Sequence, residues 1–231
     1  IAAGAAVAEK FLEARLGHVM MRHHIYAYIS DGGIEEEISQ GVGRIAGALG
    51  LDNLIMFYDA NNVQLSTTVD EVMAEDTAAK YRAWNWTVME IDGNDVAQIR
   101  QALDKATAGT GHPVLIIGKT VMAKGALKAD GTSYENSVKT HGAPLGDGAY
   151  VNTIKNLGGD PEKPFEIFDD VKKLYDDRRE ELKKIVAERR AEEAEWAAQN
   201  PEKKKHMDEW FSGKAPHVDW SKIEQKPDVA T

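Results

Sequence analysis

Cysteine is absent from the sequence of 231 residues. Disulfide bonds and thiolate metal sites are therefore excluded, and the absence fits a cytoplasmic location, where disulfide bonds are rare. The sequence also has no apolar run long enough to cross a lipid bilayer, which takes about 18 residues or more. We therefore expect no membrane-spanning helix.

Positive charge is also scarce. The 28 lysines and arginines are outnumbered by 38 aspartates and glutamates, which gives a net charge of −10. A chain with this charge binds polyanions poorly, so we expect no nucleic-acid partner. The hydrophobic fraction of 42% and the charged fraction of 29% are ordinary for a globular protein. The length suffices for one large domain, or for one domain with an appended segment.

Apolar periodicity predicts that helices and strands alternate along the chain. Strands are predicted at residues 24–30, 53–59, 86–92 and 112–120, and helices at 1–16, 34–49, 76–84 and 95–107, the last one capped by Asp95. The run NLIMFYD at 53–59 is continuously apolar, which is typical of a strand covered on both faces. This alternation predicts an α/β fold, a parallel β-sheet with helices on both faces.

The glycine-containing run GVGRIAG at 41–47 does not predict a dinucleotide-binding site. It lies inside the helix predicted at 34–49, whereas a dinucleotide motif needs a strand-to-helix turn, and its spacing is G-x-G-x-x-x-G. The apolar stripe of that predicted helix consists of Ile34, Ile38, Val42, Ile45 and Leu49.

The composition divides the chain into three parts. Residues 1–160 are expected to form the α/β domain, with a long loop at 123–145 of the kind that is usually functional or disordered. Residues 161–213 are expected to form a charged, solvated helical extension packed on the outside of that domain, with one apolar stripe that consists of Phe168, Val171, Leu174, Tyr175, Leu182 and Ile185. Residues 214–231 read as a linker. Because the chain opens with Ile1 inside a helical pattern, we expect a piece of a longer protein.

Polar side chains follow the first two predicted strands. Asp31 comes directly after the strand at 24–30, and Asn61 follows Asp59 at the end of the next strand. If these strands are neighbours, their ends lie about 5 Å apart, so both side chains reach one ion. One carboxylate, one amide oxygen and a backbone carbonyl form a hard oxygen site that suits Mg²⁺ or Ca²⁺.

Two glycines after Asp31 suit the binding of a phosphate group. Gly32 and Gly33 allow close approach of the backbone, and a helix that begins near Ile34 directs its N-terminal amides to the same point. A simpler interpretation stays open, in which Asp31 caps a helix and Asn61-Asn62 forms a turn.

Four segments together resemble one family. SDGGIEEEISQGVGRIAGALGLDNLIMFYDANNVQL resembles the thiamine diphosphate fingerprint, an Asp-Gly pair followed some 30 residues later by Asn, and its surroundings in transketolases. EDTAAKYRAWNWTVMEIDGND, HGAPLG at 141–146 and KPDVAT are similar to later transketolase segments, in the same order. The resemblance covers nearly the whole chain and implies the diphosphate-binding (PP) domain of the thiamine diphosphate fold.

The resemblance implies a role for six residues. Asp31, the side chain of Asn61 and the carbonyl of Val63 would bind Mg²⁺ or Ca²⁺, the Gly32 amide would contact the diphosphate, Met122 would pack on the cofactor rings, and His141 would be catalytic. His141 would lie beside the diphosphate and the reacting carbon, where it would assist proton transfers.

The resemblance also implies an activity and partners. The reaction would be transfer of a two-carbon ketol unit from a ketose phosphate to an aldose phosphate. The cofactor would lie against the pyrimidine-binding domain of a second subunit, in a homodimer of the full-length protein, with Glu36 near the interface. The resemblance also implies that the first part of the domain at 1–160 is missing, so residues 1–231 alone would lack a complete active centre and be inactive. Two alternatives stay open: another thiamine diphosphate enzyme (a synthase or a 2-oxo-acid dehydrogenase component), and a noncatalytic cofactor-binding or scaffold subunit.

Three positions depart from the family pattern. Ser30 replaces a glycine at a strand end, where ordinary backbone angles suffice. Ala123 and Lys124 replace a glycine and an aromatic residue, and the loop before His141 is several residues longer. In the resemblance, these differences fall on the side of the site that would face the sugar, and not at the metal ligands.

Overall fold

The computed structural model describes residues 1–21, 23–215 and 217–222. Its sheet has the strand order β1-β2-β4-β3, and every neighbouring pair is parallel. The strands are β1 Ile25–Ser30, β2 Leu54–Ala60, β3 Thr87–Asp92 and β4 Val114–Lys119. The prediction of a parallel α/β sheet is confirmed.

Helices connect and flank these strands. They are α1 Ala2–Leu16, α2 Asp31–Glu35, α3 Glu37–Ala48, α4 Val69–Val72, α5 Thr77–Ala83, α6 Val96–Thr107, α7 Asp147–Asn156, α8 Asp169–Gln199 and α9 Pro201–Phe211. The predicted cap of α6 is confirmed, because the Asp95 carboxylate accepts hydrogen bonds from the amides of Ala97 and Gln98. In the ranges that the structure describes, no helix is both long and apolar enough to cross a bilayer.

The sheet is covered on both faces, as predicted. Side chains alternate along β2, so Met56 and Tyr58 enter the core cluster that also contains buried residues of α1, α3 and α5. Ile55 lies on the opposite face, in a second cluster with Ala102 and Ala106 of α6. Since β2 is buried between these clusters, its continuously apolar sequence follows from its position.

The helix predicted at 34–49 is two helices. Glu36 has extended backbone angles (φ −59°, ψ 130°) and separates α2 from α3. Of the predicted apolar stripe, Ile34 is buried, whereas Ile38, Val42, Ile45 and Leu49 are 38–76% exposed. The stripe therefore does not form the inner face of α3 in the described structure.

Small residues form that inner face instead. Gly43, Ala46 and Gly47 are the buried residues of α3. The indole of Trp86 donates a hydrogen bond of 2.8 Å to the Gly43 carbonyl. A Cβ added at Gly47 would lie 1.7 Å from the carbonyl oxygen of Trp84. The helix packs closely on this segment because glycine has no side chain.

The charged helix α8 is attached at its C-terminal end. Its buried residue is Trp196, whose indole donates a hydrogen bond to the Leu16 carbonyl and which packs with Met21 and Met207. The extension therefore packs on the domain at this end, whereas the six residues of its apolar stripe, from Phe168 to Ile185, are 37–68% exposed. The predicted linker at 214–231 falls largely outside the described residues.

The long segment between β4 and α7 is folded by local contacts. The Met122 amide donates to the Asn136 side chain (3.1 Å), and the Asn136 amide donates to the Met122 carbonyl (3.0 Å). An antiparallel bridge joins Leu127 to Ser133, and a 3₁₀ turn covers Val138–Thr140. Ala123, which stands where the family pattern has glycine, is left-handed with φ 51°.

We predict that Gly47→Ala lowers the free energy of unfolding by about 3 kcal/mol, because the new methyl group overlaps the Trp84 carbonyl and forces α3 outward. Gly41→Ala is the matched control, since a Cβ at Gly41 in the same helix meets nothing within 4 Å. There the better helix propensity of alanine should raise the free energy of unfolding by about 0.5–1 kcal/mol. Urea denaturation of both variants measures the difference, and equal effects would contradict the close packing at Gly47.

We also predict that Ala123→Gly raises the free energy of unfolding by about 0.5 kcal/mol. A left-handed alanine costs about 1 kcal/mol, and the greater freedom of glycine in the unfolded chain offsets about half of that gain. The reverse change, Gly131→Ala, is the control in the same segment, at φ 82° and with open space around the added methyl group. It should destabilise by about 1 kcal/mol. Thermal and urea unfolding that give the opposite signs would contradict the left-handed backbone.

Candidate functional site

The register of the first two strands determines the site. Ser30 at the end of β1 pairs with Asp59 of β2. The residues that follow, Asp31 and Asn61, therefore emerge at the same carboxyl edge of the sheet. The expectation that these strands are neighbours is confirmed, and this edge is where parallel sheets bind ligands.

The carboxylate of Asp31 is buried and held at both oxygens. Asp31 is 2% exposed. Its Oδ1 accepts a hydrogen bond of 2.6 Å from the Tyr58 hydroxyl, and its Oδ2 accepts one of 3.3 Å from the main-chain amide of Asn61. No side-chain cap bond is made at the start of α2. The interpretation of Asp31 as a helix cap is therefore wrong.

Asn61 and Val63 lie in the turn after β2. The amide oxygen of Asn61 accepts a hydrogen bond of 3.0 Å from the Val63 amide, and both residues are buried. Asn62 between them is left-handed, with φ 63°, a conformation that asparagine tolerates well. The segment is thus a turn, and that turn brings Asn61 against Asp31.

A cleft of about 430 Å³ opens at these residues. Its lining consists of Asp31, Tyr58, Ala60, Asn61, Asn62, Val63, Thr68, Val69, Lys119, Thr120 and Asn136. Across the part of the chain that the structure describes, no three histidine or acidic side chains form a metal-binding group. A cation here would therefore rely on one carboxylate, an amide oxygen, a main-chain carbonyl and oxygens of a ligand. That donor set suits Mg²⁺ or Ca²⁺.

The cleft also favours a cation electrostatically. Burial raises the pKa of Asp31, although the hydrogen bond from Tyr58 opposes this shift, and nearby Asp59 raises it further. Burial and the adjacent Asp31 raise the pKa of Tyr58 far above its ordinary value, so the proton stays on the phenol. A positive ion would favour the ionised form of Asp31, because it replaces the solvation that burial removes.

The two glycines lie in the first turn of α2, since this helix begins at Asp31 and not near Ile34 as expected. A Cβ at Gly32 would meet nothing within 4 Å, so the space beside this residue is open. A Cβ at Gly33 would lie 2.9 Å from Cγ1 of Ile29, so packing accounts for Gly33. Ser30 is extended, with φ −100° and ψ 177°, so it replaces the family glycine without strain.

The loop between β4 and α7 carries the other two site residues that the resemblance implies, Met122 and His141. His141 follows the 3₁₀ turn and is not among the residues that line the cleft; its Nδ1 is buried and has no hydrogen-bond partner in the described structure. Met122 lies next to the cleft through its main-chain bonds to Asn136, which is a lining residue. The structure thus brings Asp31, Asn61 and Val63 together at one cleft and places Met122 beside it, while the role of His141 stays a prediction.

Three residues of the cleft were missed from the sequence. Tyr58 binds Asp31, Thr120 donates to the Asp59 carboxylate, and Asn136 supports Met122. A tyrosine in the apolar run of β2 is a signal for the first, because a buried hydroxyl needs a partner. Asn136 gives no such signal, since the course of its loop depends on contacts that local patterns do not show.

Known proteins share this sequence and fold. Residues 1–216 match the family model described as "Transketolase, thiamine diphosphate binding domain". Transketolase 2 of Xanthobacter flavus is 37% identical over 182 residues, which cover 77% of this chain, and Transketolase 1 of Escherichia coli is 38% identical over 179 residues, which cover 76%. Each alignment covers 26% of the relative, so the chain spans about a quarter of these proteins.

Solved structures agree with the sequence comparison. The transketolase of Leishmania mexicana matches 97% of this chain and 33% of its own length, with a TM-score of 0.85 and 30% identity. The transketolase of Campylobacter jejuni matches 92% of this chain and 32% of its own length, with a TM-score of 0.77 and 32% identity. The chain therefore belongs to the transketolase family, and residues 1–216 correspond to its thiamine diphosphate-binding domain.

Proposed function

We propose that this chain provides the cation- and diphosphate-binding half of a transketolase active centre. The observation that carries the proposal is the buried cluster of Asp31 and Asn61 at the ends of adjacent parallel strands. Asp31, the Asn61 side chain and the Val63 carbonyl bind Mg²⁺ or Ca²⁺, and the Gly32 amide contacts the diphosphate. The open space beside Gly32 supports this placement.

Met122 and His141, the other residues that the resemblance implies, act at the thiamine end of the cofactor. Thiamine diphosphate supplies the carbanion chemistry when it is bound. Met122 packs against its rings, and His141 exchanges protons with the substrate. The buried, unpartnered Nδ1 of His141 supports this role, because such a nitrogen is available to another group.

The complete reaction needs more than these residues. It is transfer of a two-carbon ketol unit from a ketose phosphate to an aldose phosphate, in which a second subunit contributes a pyrimidine-binding domain. Residues 1–160 form the binding domain, 161–213 its helical extension and 214–231 the link to the next domain. The chain alone is inactive in ketol transfer, and its location is the cytoplasm.

Calorimetric titration with thiamine diphosphate tests the proposal. In Mg²⁺ the wild-type chain should bind more tightly than in EDTA. Asp31→Asn should weaken the Mg²⁺-supported binding roughly 100-fold, because it removes the charged ligand of the cation. Asp76→Asn is the control; Asp76 caps α5 at the protein surface, and asparagine caps helices as well as aspartate does.

Two results would contradict this function. Thiamine diphosphate affinity that is equal in Mg²⁺ and in EDTA would show that no cation takes part in binding. Equal losses in Asp31→Asn and Asp76→Asn would show that any lost charge has the same effect. Binding without ketol transfer in the full-length protein would favour a noncatalytic cofactor-binding subunit.

A second copy of the chain is the proposed partner at α3. Ile38, Val42, Ile45 and Leu49 recur at helical spacing and are largely exposed. Glu36, which the family resemblance places near the subunit interface, immediately precedes this helix. A continuous apolar stripe of this kind is typical of a protein interface, because water around it is released on association.

We predict that Ile45→Lys shifts the full-length protein from dimer toward monomer, because a charge in the centre of an apolar interface loses its solvation. Sedimentation velocity over a range of concentrations measures the change, which should be tenfold or more in the dissociation constant, about 1.4 kcal/mol. Val96→Lys, at an exposed valine of α6 on the other face of the sheet, should leave association unchanged. A full-length wild-type protein that sediments as a monomer at all concentrations would contradict the proposal of a second copy at α3.

A further inference from the structure

Tyr58 lies below the candidate cation site, in the middle of the sheet. It belongs to β2 and is 5% exposed, with its ring in the core cluster beside Met56 and Ile117. Its hydroxyl group points to the edge of the sheet and donates to Oδ1 of Asp31 at 2.6 Å. The ring of Tyr58 is therefore held in the core, and its hydroxyl group makes a polar contact with the carboxylate.

The second carboxylate oxygen is directed by a different group. Oδ2 of Asp31 accepts a hydrogen bond of 3.3 Å from the main-chain amide of Asn61, which is longer and weaker than the bond from Tyr58 to Oδ1. The main-chain amide of Asn62 also interacts with this carboxylate. These donors come from one segment, the end of β2 and the two residues that follow it. The short bond to the rigid strand thus limits rotation of the carboxylate, while the long bond leaves Oδ2 with capacity for a cation.

We propose that Tyr58 is a positioning residue for the cation. Its hydroxyl holds Oδ1 of Asp31, so that Oδ2 stays turned toward Asn61 and the cleft. This inference rests on the proposed function, since it concerns the same cation. Groups that orient metal ligands by hydrogen bonds raise metal affinity, and their loss lowers it by about 10- to 100-fold.

The chain contains a matched comparison for this hydroxyl. Tyr81 is also fully buried in the same core cluster. The centroid of its ring lies 5.0 Å from that of Trp84 and 5.2 Å from that of Trp86. Its hydroxyl has no hydrogen-bond partner in the described structure. Removing the Tyr81 hydroxyl therefore changes core burial in the same way as at Tyr58, but it disturbs no carboxylate.

The test compares Tyr58→Phe with Tyr81→Phe in the 231-residue chain. Calorimetric titration with thiamine diphosphate is done in Mg²⁺ and in EDTA for each variant. Tyr58→Phe should reduce the Mg²⁺-supported affinity about 10- to 100-fold and leave the affinity in EDTA unchanged, because a positioning role acts through the cation alone. Tyr81→Phe should change neither affinity.

Amide hydrogen exchange at Asn61 gives a reading without any ligand. In Tyr58→Phe the carboxylate gains rotational freedom, so the Asn61 amide should exchange faster, whereas in Tyr81→Phe its rate should stay as in the wild type. An unchanged rate at Asn61 in Tyr58→Phe would overturn the inference.

If Tyr58→Phe does not fold, NMR observation of the Tyr58 hydroxyl proton in the wild-type chain tests the inference instead. Its resonance should persist when Mg²⁺ and thiamine diphosphate are added, and its loss would overturn the inference.

The two proposals fail in different ways. A wild-type chain that binds thiamine diphosphate equally in Mg²⁺ and EDTA would overturn the proposed function. Mg²⁺-dependent wild-type binding that survives in full in Tyr58→Phe would overturn only the role of Tyr58.

Discussion

The parallel pairing of β1 with β2 is the constraint on which the site depends. Because side chains alternate along a strand, the register that sets Ser30 opposite Asp59 also turns Tyr58 toward the core beneath Asp31. A slip of one residue would send Tyr58 to the opposite face and separate it from the carboxylate. The apolar side chains of β2 stabilise this one register, since a slip would also exchange the contents of the two core clusters.

Much of this arrangement could be predicted from the sequence, and the limits have physical causes. The apolar run of β2 and the position of Asp31 and Asn61 after strands suffice to predict a parallel sheet with a cation site at its edge. An apolar stripe indicates which face of a helix is apolar but not which part of a protein covers that face. The exposure of Ile45 on α3 was therefore not predictable. The contact of Tyr58 with Asp31 spans 27 residues of sequence, which local patterns do not report.

A site with one buried carboxylate has a consequence for how ligands bind. In the proposed site the cation alone would meet a single negative charge and neutral oxygens, so most of its remaining ligands would have to come from the diphosphate. The diphosphate in turn would meet a cleft that contains Asp31 and lies near Asp59, and the cation would reduce this repulsion together with Lys119, which lines the same cleft. Each ligand would then raise the affinity of the other by the same factor, as linkage requires.

The outer side of β1 imposes a different requirement. In the described part of the chain this strand has its hydrogen-bonded neighbour, β2, on one side, and its residues Tyr26 and Tyr28 are largely exposed. A free strand edge with aromatic side chains is a template on which further strands add, without a natural end to growth. Lysine or proline at this edge is therefore the rational route to disfavour such strand addition.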